Sequence, residues 1–358
     1  MKAPHLDALA CEGTRFSSCI TPNPVCQPPR ASILTGLLPE TPGVSDNGID
    51  LPDATGYARA WPDGPITFVV GFAPNGSSDI SARLVGEALS EELGVQVLVE
   101  NRPGAQGRIA ADLVAHSRPD GRTFLIAAAE SLFRYAYNAK HEIKAGRPLT
   151  PVTILASQPL IMVAHPRRGW KTLADAVAAA KSSRHVLAYA TPSAGIGSNV
   201  IVAELIFRKA GAPMMTVPYR GGGQAVQDML AGVVPLGVLG AAPVAPYARN
   251  GKLTPLAVTS KQRDPLLPGV PGMAESGYPD IDITQWFAVF APAETPKEIV
   301  DRMGAALVEA LARPRVVEAL AKAALSPVGG TPEDAIRRFE REGAAWLDAV
   351  RVLDLKPD

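Results

Sequence analysis

Cysteine is nearly missing from this chain of 358 residues: Cys11, Cys19 and Cys26 are the only three, and none follows. Three thiols cannot all pair internally, so no disulfide framework is expected in a chain of this length. Net charge is missing as well. Lys plus Arg and Asp plus Glu number 35 each, which removes the electrostatic reason to expect nucleic acid or an anionic membrane surface as partner. Aromatic residues make up 6% of the chain, too few to suggest platforms for stacked bases. No apolar run reaches the roughly 18 to 20 residues that cross a bilayer. The opening residues, Met1-Lys2-Ala3-Pro4-His5-Leu6-Asp7, carry no apolar stretch of the secretory kind, so a chain translated as written is expected to stay in the cytoplasm.

The marks of catalysis are also lacking. There is no P-loop lysine motif, and Gly195-Ile196-Gly197 has Val200 where a dinucleotide fingerprint needs its third glycine. The five histidines (His5, His116, His141, His165, His185) are scattered without metal-ligand spacing. No nucleophile and base stand out as a pair. Neither an enzyme, a metal nor a cofactor is expected of residues 56–358.

What the chain does have is apolar residues, 47% of the total, enough for a sizeable core in two or more lobes. From Pro65 onward, short β-branched runs alternate with helical stretches. Strands are expected at 66–70, 95–99, 123–127, 186–190, 215–219, 235–239, 256–259 and 286–290. Helices are expected at 77–93, 106–116, 173–181, 198–210, after Gly223, and at 296–312, 314–324 and 332–350. Thr172 with Asp175 makes a capping-box-like start, and Gly94 stops the helix that begins near Ser77. Strands alternating with helices imply parallel sheets covered on both faces. The number of strands suggests two sheets, with a ligand crevice at their carboxyl ends.

Residues 1–48 resemble an internal piece of the sulfatase family, through Pro4-His5-Leu6-Asp7, Glu12-Gly13-Thr14-Arg15-Phe16 and Cys26-Gln27-Pro28-Pro29-Arg30. In that family the cysteine of a C-x-P-x-R motif becomes formylglycine. Cys26, Pro28 and Arg30 match the motif, while Pro29 replaces the usual serine. The resemblance implies a divalent cation held by several carboxylates, and residues 49–358 do not resupply them. The segment is therefore expected to be a truncated, irregular remnant, as its many prolines suggest.

A longer resemblance covers residues 62 to about 350. It runs through Phe72-Ala73-Pro74-Asn75-Gly76-Ser77-Ser78-Asp79, Glu100-Asn101-Arg102-Pro103-Gly104-Ala105-Gln106-Gly107 and Pro119-Asp120-Gly121-Arg122-Thr123. It continues in Val217-Pro218-Tyr219-Arg220-Gly221, Gly251-Lys252-Leu253 and Ala274-Glu275-Ser276-Gly277. This pattern resembles the Bug, or tripartite tricarboxylate transporter, family of extracytoplasmic solute receptors. The resemblance implies an α/β, two-lobed periplasmic-binding-protein type II fold, each lobe a mainly parallel sheet flanked by helices. On that reading residues 56–165 with 280–358 form lobe 1 and 166–279 form lobe 2, closing over a small carboxylate. It also implies a periplasmic location, transporter membrane subunits as partners, and a monomer.

The residues themselves agree with an anion site. Loops 72–79 and 191–198 are rich in Gly and Ser and each leads into a helix, aiming N–H groups and a positive helix end at one point. The candidate contacts are Ala73, Asn75, Gly76, Ser77, Ser78, Asp79, Ala105, Ser193, Gly197, Ser198, Tyr219 and Gly221. Blander roles compete for several of them. Ser77 and Ser78 fit plain helix caps, Gly104 to Gly107 fit a simple turn, and Asp79 suits a cap better than an anion contact. Tyr219 fits either the core or the crevice. Relatives often carry acidic residues where this chain has Pro235-Leu236-Gly237-Val238-Leu239-Gly240-Ala241-Ala242, so a non-amino carboxylate with an apolar body is expected.

Overall fold

The computed structural model describes residues 61–138, 149–192 and 194–355. The sulfatase-like segment with Cys26, Pro28 and Arg30 lies outside the described residues, as does Ser193.

Strand alternation builds the first half. In β1 (Ile66–Val70) Ile66, Phe68 and Val70 enter one core while Val69 enters another, the period-2 outcome of a pleated strand buried on both faces. β3 (Thr123–Ala128) repeats it, with Phe124 and Ile126 on one side and Leu125 and Ala127 on the other. β2 (Val97–Asn101) and β3 flank β1 in parallel. The first face is covered by α1 (Ser77–Leu93), where Val85 and Leu89 pack. Gly94 ends that helix at φ 67°, a left-handed turn that glycine adopts without steric cost. The opposite face is covered by α2 (Arg108–Ala115) and α3 (Ala129–Asn138).

β4 (Leu149–Ala164) is 16 residues long and feeds every core. Val152 and Leu155 belong to the first, Ile154 to the second, Leu160 and Met162 to a third, Ile161 and Val163 to a fourth. The third core packs α4 (Leu173–Ser182) and α5 (Ser198–Ala203), which runs on as a π-helical turn over Glu204–Arg208. β5 (Ala188–Thr191) and β6 (Met215–Pro218) pair in parallel. The fourth core packs α6 (Gly222–Leu230) and α7 (Ala241–Arg249) around β7 (Leu236–Gly240) and β8 (Thr254–Val258). β9 (Thr284–Pro292) returns to the first half. There α8 (Lys297–Ala312), α9 (Pro314–Lys322), β10 (Ser326–Gly329) and α10 (Pro332–Val352) complete the described chain.

The strand order is β2-β1-β3-β9-β4-β7-β5-β6, with β8 and β10 also paired to β4. Parallel pairing holds in the outer strands, as the βαβ pattern requires. At the centre it fails: β9 runs antiparallel to β3 and β4, and β7, β8 and β10 run antiparallel to β4. The sheet is therefore mixed rather than parallel throughout. The reason lies in the connections, since a chain that re-enters the first sheet from the second need not arrive in the βαβ sense. Helices 106–116 and 198–210 are also corrected. The first opens with a 3-10 turn at Ala105–Gly107, and the second changes to π geometry after Ala203.

Phe68 is fully buried and sits edge-on to Phe124 at 6.4 Å, whereas Val352 is 81% exposed. Phe68→Ala should cost about 3–5 kcal/mol in urea unfolding. Val352→Ala should stay within about 0.5 kcal/mol; equal losses for the two would contradict this core.

Candidate functional site

Four helices begin at the carboxyl ends of parallel strands or of β7, and a glycine stands at each N-cap: Gly76 before α1, Gly197 before α5, Gly221 before α6 and Gly240 before α7. None of these glycines can lend a side-chain oxygen to the first-turn N–H groups, so those donors are left to another acceptor. Helices α4 and α10, elsewhere in the fold, instead have complete capping boxes at Thr172 and Thr331. Gly76, Ser77, Ser78, Gly197, Asn199, Gly222 and Gly240 line one cleft together with Phe72, Gln106, Ala128, Glu130, Ser131, Pro192, Gln285 and Phe287. About 540 Å³ of empty space lies in and before the cleft, part of it open solvent.

Loops from both halves meet here without spare room. The Ala73 N–H donates to the Arg220 carbonyl at 3.0 Å. A Cβ on Gly223 would lie 2.8 Å from the Pro74 carbonyl oxygen, and one on Gly221 would lie 3.1 Å from the Ala73 nitrogen. At Gly240 a Cβ would lie 2.3 Å from both Ser77 Oγ and Gln158 Nε2. Glycine is thus needed so that backbone can reach backbone across the cleft.

Asp79 is 1% exposed, but it does not line the cleft. Its carboxylate accepts from the Asn75 N–H at 2.9 Å, from Asn101 Nδ2 at 2.9 Å and from Arg83. It therefore ties down the loop before α1, where Asn75 has φ 63°, rather than capping the helix start itself. Asn101 also donates to the Phe72 carbonyl, fixing the other end of that loop.

Of the twelve candidate residues, Ser193 lies outside the described residues and Asp79 stands behind the loop before α1; the other ten are placed as follows. Gly76, Ser77, Ser78 and Gly197 come together in the cleft. Ala73 and Gly221 pack against each other beside it. Asn75 lines a separate groove with Gly223 and Tyr247, and Ser198 lines a second cavity with Phe133, Trp286 and Trp346. Ala105 (φ 43°) shapes the turn that presents Gln106, whose Oε1 accepts from the Ala194 N–H. Tyr219 packs against the fourth core, and its hydroxyl donates to Asp228 at 2.8 Å. Burial first, and then the Asp228 hydrogen bond and charge, push this phenol up to about 12.

Sequence reasoning missed Glu130, Ser131, Gln285, Asn199 and the two phenylalanines. One signal was available for Glu130 and Ser131, because they directly follow β3 and so fall at the carboxyl end of a parallel strand. Gln285 and Phe287 enter from antiparallel β9, for which no local pattern gives a position.

Fold and cleft together define a solute-binding protein built from two α/β halves. Residues 81–351 match the model described as Tripartite tricarboxylate transporter family receptor, and the chain belongs to that family. Its sequence is 34% identical to protein BugT of Bordetella pertussis over 301 residues, 84% of this chain and 92% of BugT. Among solved structures it is similar to MatC from Rhodopseudomonas palustris with bound malate, at 28% identity and TM-score 0.73, covering 81% of this chain and all of that one. It is also similar to R. palustris Rpa4515 with adipate, at 29% identity and TM-score 0.75, covering 83% and 100%. A further stretch of 52 residues is 50% identical to an ulvan-active sulfatase of Formosa agariphila, covering 14% of this chain and 10% of that enzyme. So short a match marks a fragment and carries no activity with it.

Gly223→Ala should force the Pro74 and Gly223 loops apart and destabilise the fold by about 1–3 kcal/mol, the usual cost of overpacking. Unfolding in urea checks this, and an unchanged midpoint would show that the two loops do not touch.

Proposed function

We propose that the chain works as an extracytoplasmic receptor, holding a small carboxylate in this cleft and delivering it to membrane subunits of a transporter. The observation that carries the reading is the set of glycine-capped helix starts around one cleft. Amide donors and positive helix ends suit a carboxylate, and they do so without a formal cation. The relatives that hold malate and adipate support the carboxylate class. Gly76, Ser77, Ser78 and Gly197 are the proposed contacts, with Gly222 and Gly240 added by the geometry.

β4 changes partners at one point, pairing with β9 up to Pro159 and with β7 from Leu160. Residues 56–165 with 280–358, and residues 166–279, are proposed as the two lobes that close on the ligand as a monomer. Closure excludes water and strengthens each amide hydrogen bond to the bound anion.

A thermal-shift screen of mono-, di- and tricarboxylates tests the proposal. A ligand at 100 times its dissociation constant adds about 2.7 kcal/mol, which appears as a raised Tm. Ser77→Leu, which fills the cleft, should remove that shift while leaving the ligand-free melting cooperative. A flat response to every acid, or an undiminished shift in the variant, rules this site out.

A further inference from the structure

The start of α5 faces the cleft on one side and a hollow on the other. Gly197 and Asn199 line the cleft, while Ser198 and Ile201 line the second cavity, whose far wall is α10 at Trp346 and Ala349. About 720 Å³ of empty space lies there, part of it open solvent. Close packing fixes a helix by filling the space beside it, and on this side that filling is incomplete. α5 is also short, running regularly from Ser198 to Ala203 before it turns π-helical. A helix of that length does not hold itself in place.

Directed hydrogen bonds take over that task. Asn199 Nδ2 donates to the Val238 carbonyl of β7 at 2.7 Å, and the Ala194 N–H donates to Gln106 Oε1 at 3.1 Å. Trp346 Nε1 donates to the Ile196 carbonyl at 3.0 Å in a buried contact. That carbonyl shares one rigid, planar peptide unit with the N–H of Gly197, the N-cap of α5, so holding the oxygen orients the residue that opens the helix. The indole is itself well seated. Trp346 is 6% exposed, and its ring lies 5.9 Å from Phe133, which stacks on Phe339 at 4.7 Å. Past the end of α10, the Leu353 carbonyl accepts from Arg208 Nη1 at 2.6 Å, so the same helix also meets the far end of the π-helical turn. Trp346 and Gln106 both come from the stretch assigned to the opposite lobe. Building on the receptor reading, we infer that Trp346 is a positioning residue for the ligand. Its indole N–H sets the peptide ahead of Gly197 and so aims the start of α5 at the bound acid.

Trp346→Phe in the full chain tests this, because it keeps an aromatic ring beside Phe133 and deletes the donor. Val350→Ala is the comparison, since Val350 lies one turn along α10 in the same core and thins its packing without removing the donor. Hydrogen exchange read by mass spectrometry reports on the helix start with no ligand present. The Val200 and Ile201 amides donate to the Gly197 carbonyl at 2.9 and 3.0 Å. They should exchange about tenfold faster in Trp346→Phe, the scale of one lost bond to a buried carbonyl, and unchanged in Val350→Ala. Calorimetric titration with succinate, malate and adipate gives the second readout. For whichever acid binds, Kd should rise about tenfold in Trp346→Phe, as fewer molecules keep the competent helix start, and stay level in Val350→Ala. An unchanged Kd in Trp346→Phe, unchanged exchange at Val200 and Ile201, or equal losses in both variants overturns the inference while the receptor reading stands. If none of the three acids binds the unmodified chain, the receptor reading falls and the inference falls with it. Should Trp346→Phe fail to fold, exchange in the unmodified chain decides. Protection at Val200 and Ile201 equal to that of α10 around Val350 supports the strut, and markedly faster exchange overturns it.

Discussion

One strand holds the two halves of this protein in register. β4 passes from β9 and β10 in the first half to β7 and β8 in the second, and its side chains enter all four cores. It contains two prolines, each lacking a ladder donor, and both sit where the ladder is already interrupted. The register with β9 shifts just after Pro151, and Pro159 marks the change of partner from β9 to β7. Everything that meets at the cleft depends on this strand, because the loops after β1 and β3 and those after β5, β6 and β7 hang on opposite ends of it.

The cleft follows from a local economy of caps. At α4 and α10, away from the cleft, Thr172 and Thr331 close the helix start with their own oxygens. Around the cleft glycine stands at the same position and offers no side-chain cap, although at α7 the Ala242 N–H is already taken by Gln158. Asp79 then has a supporting part. Its carboxylate holds Asn75 and meets Asn101 and Arg83, which keeps a negative charge occupied behind the loop. Glu130 is different, since it belongs to the lining itself and accepts from Gln285.

The alternation of strands and helices, the family's motifs and the Gly/Ser loops were legible because they are local. Period-2 burial in 66–70 and 123–127, the stop at Gly94 and the capping box at Thr172 each rest on neighbours a few residues apart. β4 was not legible. Buried on both faces and broken by Pro151 and Pro159, Leu149–Ala164 has no alternation to read. α3 and α7 were also missed, one lying directly after a strand and the other containing Pro246. Without α3, Glu130 had no position.

By itself, then, the sequence determined the α/β class, the family and which loops open onto a helix start, since a loop's chemistry and a strand's period are properties of adjacent residues. Tertiary structure alone decided the antiparallel centre of the sheet, the meeting of Gly76, Gly197 and Gly240, and the path from Ala242 through Gln158 and Gln285 to Glu130. Those partners are 84, 127 and 155 positions apart in the chain. No periodicity reaches that far, and only the closing of β4 against its neighbours brings them within a hydrogen bond.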